Sequence, residues 1–127
     1  MPTLEHAALW TPDLERSRAF YETYFDATAG EKYVNPDTDF SSYFLTFDDG
    51  ARLELMHTPA LTAAADHPAV GYAHVAIAVG AEAAVDRLTA RLRDDGVPVL
   101  DGPRRTGDGY YESVVADPDG NRVEITA

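Results

Sequence analysis

Apolar and polar positions follow the same order twice along the chain. The segment 4–9 resembles the segment 72–77, and 50–55 resembles 120–125, with each pair separated by about 70 residues. The segments 50–55 and 120–125 alternate polar and apolar residues, which is typical of half-buried β-strands. Two matched pairs at nearly one spacing predict a duplicated module of about sixty residues.

An amphipathic helix is predicted after the first strand of each module. In the first module, Thr11 and Pro12 suit the N-cap and the first helical position. The stripe that follows at helical spacing comprises Leu14, Ser17, Phe20, Tyr21, Tyr24 and Phe25. In the second module the stripe comprises Val85, Leu88 and Leu92. Gly96 suits the positive φ with which a helix commonly ends.

A hairpin is predicted to close each module. One hairpin joins the segments 43–47 and 52–56, and the other joins 111–116 and 122–126. The turns contain Asp and Gly, and the second also contains Pro. These residues supply the capping oxygen, the positive φ and the fixed φ that tight turns require.

The predicted order within each module is strand–helix–strand–strand–strand. Short extended pieces at 32–34 and 97–100 supply the second strands. The modules cover about 1–57 and 71–127 of a single domain, and the segment 58–70, rich in Ala, Thr and Pro, is the predicted linker.

Strand alternation places four ionisable side chains on the face that points away from the helices. They are His6, Glu54, His74 and Glu124. One interpretation is a solvated surface, but the recurrence of His with His and Glu with Glu favours a joint role. Two imidazoles and two carboxylates suit a hard-to-borderline divalent metal, and two further positions remain open for a substrate. Because binding requires neutral imidazole and ionised carboxylate, metal affinity is expected to fall at low pH.

Charge and composition exclude several classes of partner and site. The 127 residues include 22 acidic and 10 basic side chains, giving a formal net charge of −12. Such a field repels nucleic acid and anionic lipid, so neither is an expected partner. The chain has no cysteine, which excludes disulfides and thiolate metal sites. With no signal-peptide pattern and no long apolar run, a cytoplasmic location is expected.

Four motifs occur in order along nearly the whole chain. They are His6 followed by Asp13-Leu14-x-x-Ser17-x-x-Phe20-Tyr21, then Leu53-Glu54-Leu55, then Gly71-Tyr72-Ala73-His74-Val75-Ala76, and last Asp117-Pro118-Asp119-Gly120-Asn121-Arg122-Val123-Glu124. The ordered set resembles the vicinal oxygen chelate superfamily, and within it the glyoxalase I (lactoylglutathione lyase) family.

The resemblance implies an α+β fold in which two βαβββ modules form a cupped eight-stranded mixed sheet, the glyoxalase/bleomycin resistance/dioxygenase fold. It implies a homodimer in which modules commonly pair across chains. It also implies one divalent metal per site, nickel, cobalt or zinc, held by His6, Glu54, His74 and Glu124.

The implied reaction isomerises the hemithioacetal of a 2-oxoaldehyde, such as methylglyoxal, to a thioester through an enediolate. The metal polarises the substrate oxygens, and a carboxylate moves a proton between neighbouring carbons. The resemblance assigns this proton transfer to Glu124, with Glu54 as the mirror candidate.

The sequence departs from the family where glutathione is gripped. Glyoxalase I carries an Arg and an Asn there, and this chain has Trp10 and Thr58. Without the guanidinium, a substrate carboxylate loses its bidentate partner, which disfavours glutathione and leaves two alternatives, another low-molecular-weight thiol or a substrate with no thiol. Trp10 is predicted either to form an apolar wall of the substrate pocket or to lie in the core.

Three further residues are candidates for binding the substrate. Arg104 and Arg105 either receive a substrate carboxylate or phosphate, or pair with surface acids. Tyr111, which opens a strand with Tyr110 and Glu112, either lines the cavity or packs within the hairpin.

Other functions on the same scaffold remain open. An epimerase would use the same enolate chemistry. A dioxygenase would require iron(II) with two His and one carboxylate, which a fourth ligand disfavours. A metal-free, ligand-sequestering protein of bleomycin-resistance type would not require the four ligands.

Overall fold

The first strand in each half of the chain pairs in parallel with the last strand of that half. The pairing is seen in a computed structural model that describes all 127 residues. The chain divides into two compact units, Met1–Ala64 and Ala65–Ala127, and each contains one of the predicted modules. The division lies within the segment 58–70.

The first unit contains a five-stranded mixed sheet and one helix. Its elements are β1 (His6–Trp10), α1 (Leu14–Phe25), β2 (Thr28–Ala29), β3 (Tyr33–Val34), β4 (Ser41–Thr46) and β5 (Arg52–His57). The sheet order is β1-β5-β4-β2, and β3 also pairs with β4. Only the β1–β5 pairing is parallel. The extended piece predicted at 32–34 corresponds to β3, whereas β2 is too short to show a periodic pattern.

The second unit repeats this plan with four strands. Its elements are β6 (His74–Ala78), α2 (Glu82–Asp94), β7 (Val99–Arg105), β8 (Tyr111–Ala116) and β9 (Arg122–Thr126). The sheet order is β6-β9-β8-β7, and only the β6–β9 pairing is parallel. Helix α2 ends before Gly96, which has a φ of +84°, as predicted.

The predicted fold class is confirmed. The chain is α+β, with two βαβββ-like modules and two mixed sheets. Nine strands form rather than eight, because the segment after α1 supplies both β2 and β3. Neither helix is long and apolar enough to cross a membrane.

The core of each unit lies between its helix and one face of its sheet. The predicted stripes supply the helix side of the core with Leu14, Phe20, Tyr21, Phe25, Val85 and Leu92, all of which are buried. Leu53 and Leu55 of β5, and Val123 and Ile125 of β9, are the buried sheet residues next to the candidate ligands. Removing these side chains from water leaves only the opposite face of each sheet for polar residues.

Helix α1 begins two residues later than predicted. Its N-cap is Asp13, whose carboxylate accepts a hydrogen bond from the backbone N–H of Arg16. The predicted cap, Thr11, is fully buried, and its hydroxyl hydrogen-bonds Ser17 at 2.9 Å. Both residue types cap helices well, so local preference alone does not distinguish Thr11 from Asp13.

A buried pair of hydroxyl groups ties the helix to the sheet in each unit. Thr11, which follows β1, hydrogen-bonds Ser17 of α1. In the second unit, Thr89 of α2 hydrogen-bonds Ser113 of β8 at 2.7 Å. The hydroxyls of Thr11 and Thr89 also hydrogen-bond the carbonyl oxygens of Asp13 and Val85, so each hydroxyl has a partner in a place where water is excluded.

Gly102 allows β7 to bulge against β8, so we predict a large loss of stability in Gly102→Ala. Its φ is +75°, and an added Cβ would lie 2.6 Å from the backbone oxygen of Glu112. Gly96→Ala is the matched control, since its φ is also positive but nothing lies within 4 Å of an added Cβ. Backbone strain alone costs roughly 1–2 kcal/mol. Urea unfolding should show that loss for Gly96→Ala and a clearly greater one for Gly102→Ala. Equal losses would contradict the steric explanation.

Candidate metal centre

His6 and Glu54 lie on neighbouring strands, on the face of the first sheet opposite α1. The parallel register places Ala8 level with Glu54, so His6 is two residues away along the strand and on the same face. Nε2 of His6 is 3.7 Å from Oε1 of Glu54. The Glu54 side chain is 14% exposed and that of His6 is 41% exposed. The two groups therefore form a close pair that opens to solvent at the imidazole.

His74 and Glu124 repeat this arrangement in the second unit. Ala76 is level with Glu124, so the offset between imidazole and carboxylate is again two residues. Nε2 of His74 is 3.2 Å from Oε1 of Glu124, and the two side chains are 40% and 22% exposed. The duplication thus preserves the strand register and the facing atoms of the two groups.

Both His–Glu pairs fit the ligation of a divalent metal. Metal bonds to imidazole nitrogen or carboxylate oxygen are about 2.0–2.2 Å long, so two ligands on one ion lie roughly 3.0–3.5 Å apart. The observed separations of 3.2 and 3.7 Å are close to that range. Within one chain, no three His, Asp or Glu side chains are grouped so as to hold a metal. Each pair would thus supply two of the four ligands that the sequence predicts.

The carboxylate of Glu5 contacts Nδ1 of His6, and the guanidinium of Arg52 contacts Glu5. Oε2 of Glu5 is 2.7 Å from Nδ1 of His6, and Oε1 of Glu5 pairs with Arg52. Arg52 lies over the ring of Phe44, 4.2 Å from its centre, and His6 meets the same ring edge-on at 5.2 Å. The hydrogen bond from Arg52, followed by that with His6, lowers the pKa of Glu5 below 4.5.

A second carboxylate lies beside Glu124. Glu112 of β8 pairs with Thr126 of β9, which places it on the face of Glu124 and one diagonal away. Partial burial, and then the hydrogen bond with Glu124, raise the pKa of Glu112 above 4.5. Ser42 occupies the equivalent register position in the first unit, opposite Met56. The carboxylate of the second pair therefore has an acid beside it, whereas the equivalent position beside Glu54 has a serine.

A row of mainly apolar side chains crosses the first sheet on the same face as Glu54. The register aligns Tyr33, Ser42, Met56 and Trp10 across β3, β4, β5 and β1. We call these four residues, together with Phe40, the apolar row. It lies two residues along the strands from Glu54, a distance of about 7 Å.

The rings of the apolar row contact one another edge-on or at a tilt. Phe40 is 6.3 Å from Trp10 and 6.1 Å from Tyr33, measured between ring centres. Trp10 is 50% exposed and Tyr33 is 55% exposed. Trp10 therefore lies outside the core, which is one of the two positions that the sequence left open, and adds apolar surface next to the His6–Glu54 pair.

The other predicted substrate-binding residues lie in different surroundings. The guanidinium of Arg105 binds both oxygens of Glu82 on α2 at 2.9 Å and lies over the ring of Tyr111. The hydroxyl of Tyr111 donates to Asp86 of α2, which raises the pKa of this phenol. Arg105 and Tyr111 thus contact the helix.

Arg104 and Thr58 hydrogen-bond residues that are close to them along the chain. Arg104 is level with Glu112 in the β7–β8 pairing, and its guanidinium binds Asp101 at 2.8 Å. Thr58 directly follows β5, and its hydroxyl accepts a hydrogen bond from the N–H of Ala60 at 3.5 Å.

Glu5 and four members of the apolar row were not among the predicted site residues; those members are Tyr33, Phe40, Ser42 and Met56. Glu5 precedes its strand, where alternation carries no information about direction. Tyr33 lies on a two-residue strand, Phe40 directly precedes β4, and Met56 reads as the end of an amphipathic strand. The only available signal for Glu5 was that an acid directly precedes a candidate ligand.

The chain is similar to known proteins over its whole length. The sequence pattern of the Glyoxalase/Bleomycin resistance protein/Dioxygenase superfamily matches residues 3–125. The trypanothione-dependent glyoxalase I of Leishmania major is 26% identical, with a TM-score of 0.80 over 99% of this chain and 86% of that one. A lactoylglutathione lyase from Agrobacterium tumefaciens is 27% identical, with a TM-score of 0.71 over 97% and 91%.

A third structure shares the fold alone. A glyoxylase/bleomycin resistance protein/dioxygenase domain from Frankia sp. EAN1pec is 19% identical, with a TM-score of 0.84 over 99% of this chain and 97% of that one. No curated protein matches the sequence.

The raised pKa of Glu112 predicts that Glu112→Gln stabilises the protein at alkaline pH. A raised carboxyl pKa contributes stability that is fully present below 4.5 and is lost as pH rises through the raised value. Glutamine stays neutral, so the variant should unfold at higher urea than the parent protein at about pH 8, and the gain should shrink toward pH 4.5.

Glu31→Gln is the matched control for Glu112→Gln, since it removes the same charge from an exposed position. It should stabilise the protein less than Glu112→Gln at about pH 8. A gain from Glu112→Gln that does not change with pH would show that the carboxyl group is not the cause.

Proposed function

Since the chain belongs to the Glyoxalase/Bleomycin resistance protein/Dioxygenase superfamily, we propose that it is a metal-dependent lyase of glyoxalase I type. Its reaction would convert the hemithioacetal of a 2-oxoaldehyde, such as methylglyoxal, to a thioester. The observation that carries the proposal is the repeated His–Glu pair, with facing atoms at 3.7 and 3.2 Å in the same register.

Four residues would hold one nickel, cobalt or zinc ion: His6, Glu54, His74 and Glu124. Neutral imidazole and carboxylate are donors that all three metals accept. When bound, the ion would polarise the oxygens of the substrate and stabilise the negative charge that develops on them.

Glu124 is the proposed proton carrier. Its carboxylate would take the proton from the carbon that bears oxygen and sulfur and return it to the neighbouring carbon, so that the product is an isomer of the substrate. Glu54 has the same register position in the first unit and is the mirror candidate. Glu124 is more exposed than Glu54, which gives it the freer access to a substrate.

The apolar row would receive the part of the substrate that is remote from the metal. Trp10 and Thr58 replace the Arg and Asn with which the family grips glutathione, and neither can bind a carboxylate as a guanidinium does. We therefore propose a thiol other than glutathione, with an apolar segment against Trp10. Arg104, on the second sheet beside Glu112, is the proposed partner for a substrate anion.

We further propose that the protein is a homodimer and that its centre combines two chains. The His6–Glu54 pair of one chain would meet the His74–Glu124 pair of its partner. A C2 dimer of this kind contains two equivalent centres.

Epimerisation is the second candidate reaction, because a carboxylate is present in both pairs. Proton removal by one carboxylate and return by the other would invert a carbon next to a carbonyl group. Incubation in D2O of a chiral thioester that has no α-hydroxyl group, and so cannot form the enediolate of the lyase reaction, distinguishes the two functions. An epimerase would introduce deuterium while racemising the substrate, whereas the proposed lyase would leave this compound unchanged.

Removal of metal should abolish thioester formation, and nickel, cobalt or zinc should restore it. Calorimetric titration of the chelator-stripped, tag-free protein should show one tight site per chain. Both results should be lost in His74→Ala, and turnover should be lost in Glu124→Gln, while the fold persists because these side chains lie outside the core. His67→Ala, an exposed histidine, is the control. Full turnover by a well-folded His74→Ala protein would refute the proposal, and absence of metal binding would favour a ligand-sequestering protein.

Two inactive variants should restore activity together. A dimer of one His6→Ala chain and one His74→Ala chain would have two centres built across the chains. One centre would contain neither substitution, and the other would contain both. Random association after joint refolding should therefore recover about a quarter of the wild-type sites. Each variant refolded alone is the control. If the mixture stays inactive although mixed dimers form, the two pairs combine within one chain.

A further inference from the structure

The two candidate imidazoles differ in the partner of Nδ1, the ring nitrogen that does not face the glutamate of the pair. Nδ1 of His6 is 2.7 Å from Oε2 of Glu5, while Nε2 faces Glu54. For His74 the structure records a partner only at Nε2, which faces Glu124. The residue before His74 is Ala73, so the second unit has no counterpart of Glu5.

A carboxylate at Nδ1 selects one form of a neutral imidazole. The neutral ring has a single N–H, and a carboxylate can only accept a hydrogen bond. The N–H therefore lies at Nδ1 and points to Glu5. Nε2 keeps its lone pair, which points toward Glu54. In this tautomer the lone pair of Nε2 can bind a metal on the side of the ring that faces Glu54.

Glu5 is itself held by Arg52. The guanidinium of Arg52 pairs with the second oxygen of Glu5, and the N–H of Arg52 donates to the carbonyl oxygen of Glu5 at 2.9 Å. Arg52 is level with His6 in the register and lies over Phe44, which also contacts the His6 ring. Both oxygens of the Glu5 carboxylate thus have partners, and the imidazole is supported on two sides.

We propose that Glu5 is a positioning residue that fixes His6 in the Nδ1–H form and aims Nε2 at the candidate metal position. Its effect on metal binding rests on the proposed function, whereas its effect on the imidazole does not. In the second unit Arg122 is level with His74, as Arg52 is with His6, but no acid corresponds to Glu5. The two imidazoles are therefore expected to differ in the metal-free protein.

Nitrogen-15 NMR of the metal-free protein tests the proposal directly. In spectra recorded at about pH 8.5, the shifts of Nδ1 and Nε2 report which ring nitrogen carries the proton. The wild-type spectrum should show the Nδ1–H form for His6. In Glu5→Ala the Nε2–H form should appear for His6, while the signals of His74 stay unchanged.

Two further variants separate the role of Glu5 from loss of charge. Glu31→Ala removes one exposed acid and should leave the His6 signals as in the wild type. Glu5→Gln keeps an oxygen that accepts a hydrogen bond, so it should retain a larger Nδ1–H population than Glu5→Ala. His6 signals that are identical in Glu5→Ala and the wild type would overturn the proposal.

Zinc affinity is the second readout. Loss of a hydrogen-bond partner behind a ligand histidine weakens metal binding by about 10- to 100-fold, so Glu5→Ala should bind zinc at least about tenfold more weakly than Glu31→Ala. Equal affinity would overturn the metal-positioning role. If the wild type binds none of zinc, nickel and cobalt, the proposed function fails, and the NMR comparison still decides whether Glu5 orients His6.

Discussion

Parallel hydrogen bonding between β1 and β5, and between β6 and β9, sets the position of every candidate ligand. Side chains alternate between the two faces of a strand, so a slip of one residue would move Glu54 or Glu124 to the helix side. The same slip would expose Leu53 and Leu55, or Val123 and Ile125, all of which are buried. Burial of one such side chain is worth about 1.5–3 kcal/mol. The apolar face thus fixes the register on which the polar face depends.

The two His–Glu pairs share their geometry and differ in their surroundings. Around His6 and Glu54 lie aromatic rings, a guanidinium and the Glu5 carboxylate, whereas Glu124 has a second acid, Glu112, next to it. Apolar neighbours lower the local dielectric and strengthen electrostatic interactions, while an adjacent acid opposes further negative charge. The two His–Glu pairs therefore lie in different electrostatic surroundings although the strands that position them are alike.

Much of the fold was predictable because duplication doubles each weak pattern. Helix stripes, hairpins and the His–Glu pair each occur twice, so chance similarity is a poor explanation. The direction of Tyr111 was harder to predict, since β8 reads Tyr-Glu-Ser-Val-Val-Ala and has no clear alternation. The partners of Arg105 and Glu5 also lay beyond sequence patterns. Long charged side chains reach several neighbours at similar cost, and only three-dimensional contacts select between them.

The buried hydroxyl pairs limit how each unit can change. Ser17 and Thr11 hydrogen-bond each other, as do Thr89 and Ser113, so replacing one member by an apolar residue alters the hydrogen bonding of the one that remains. A second replacement at the partner then acts on a site that is already changed, and the two effects on stability do not add. Each pair is accordingly a point of epistasis, where the tolerated residue at one position depends on the residue at the other.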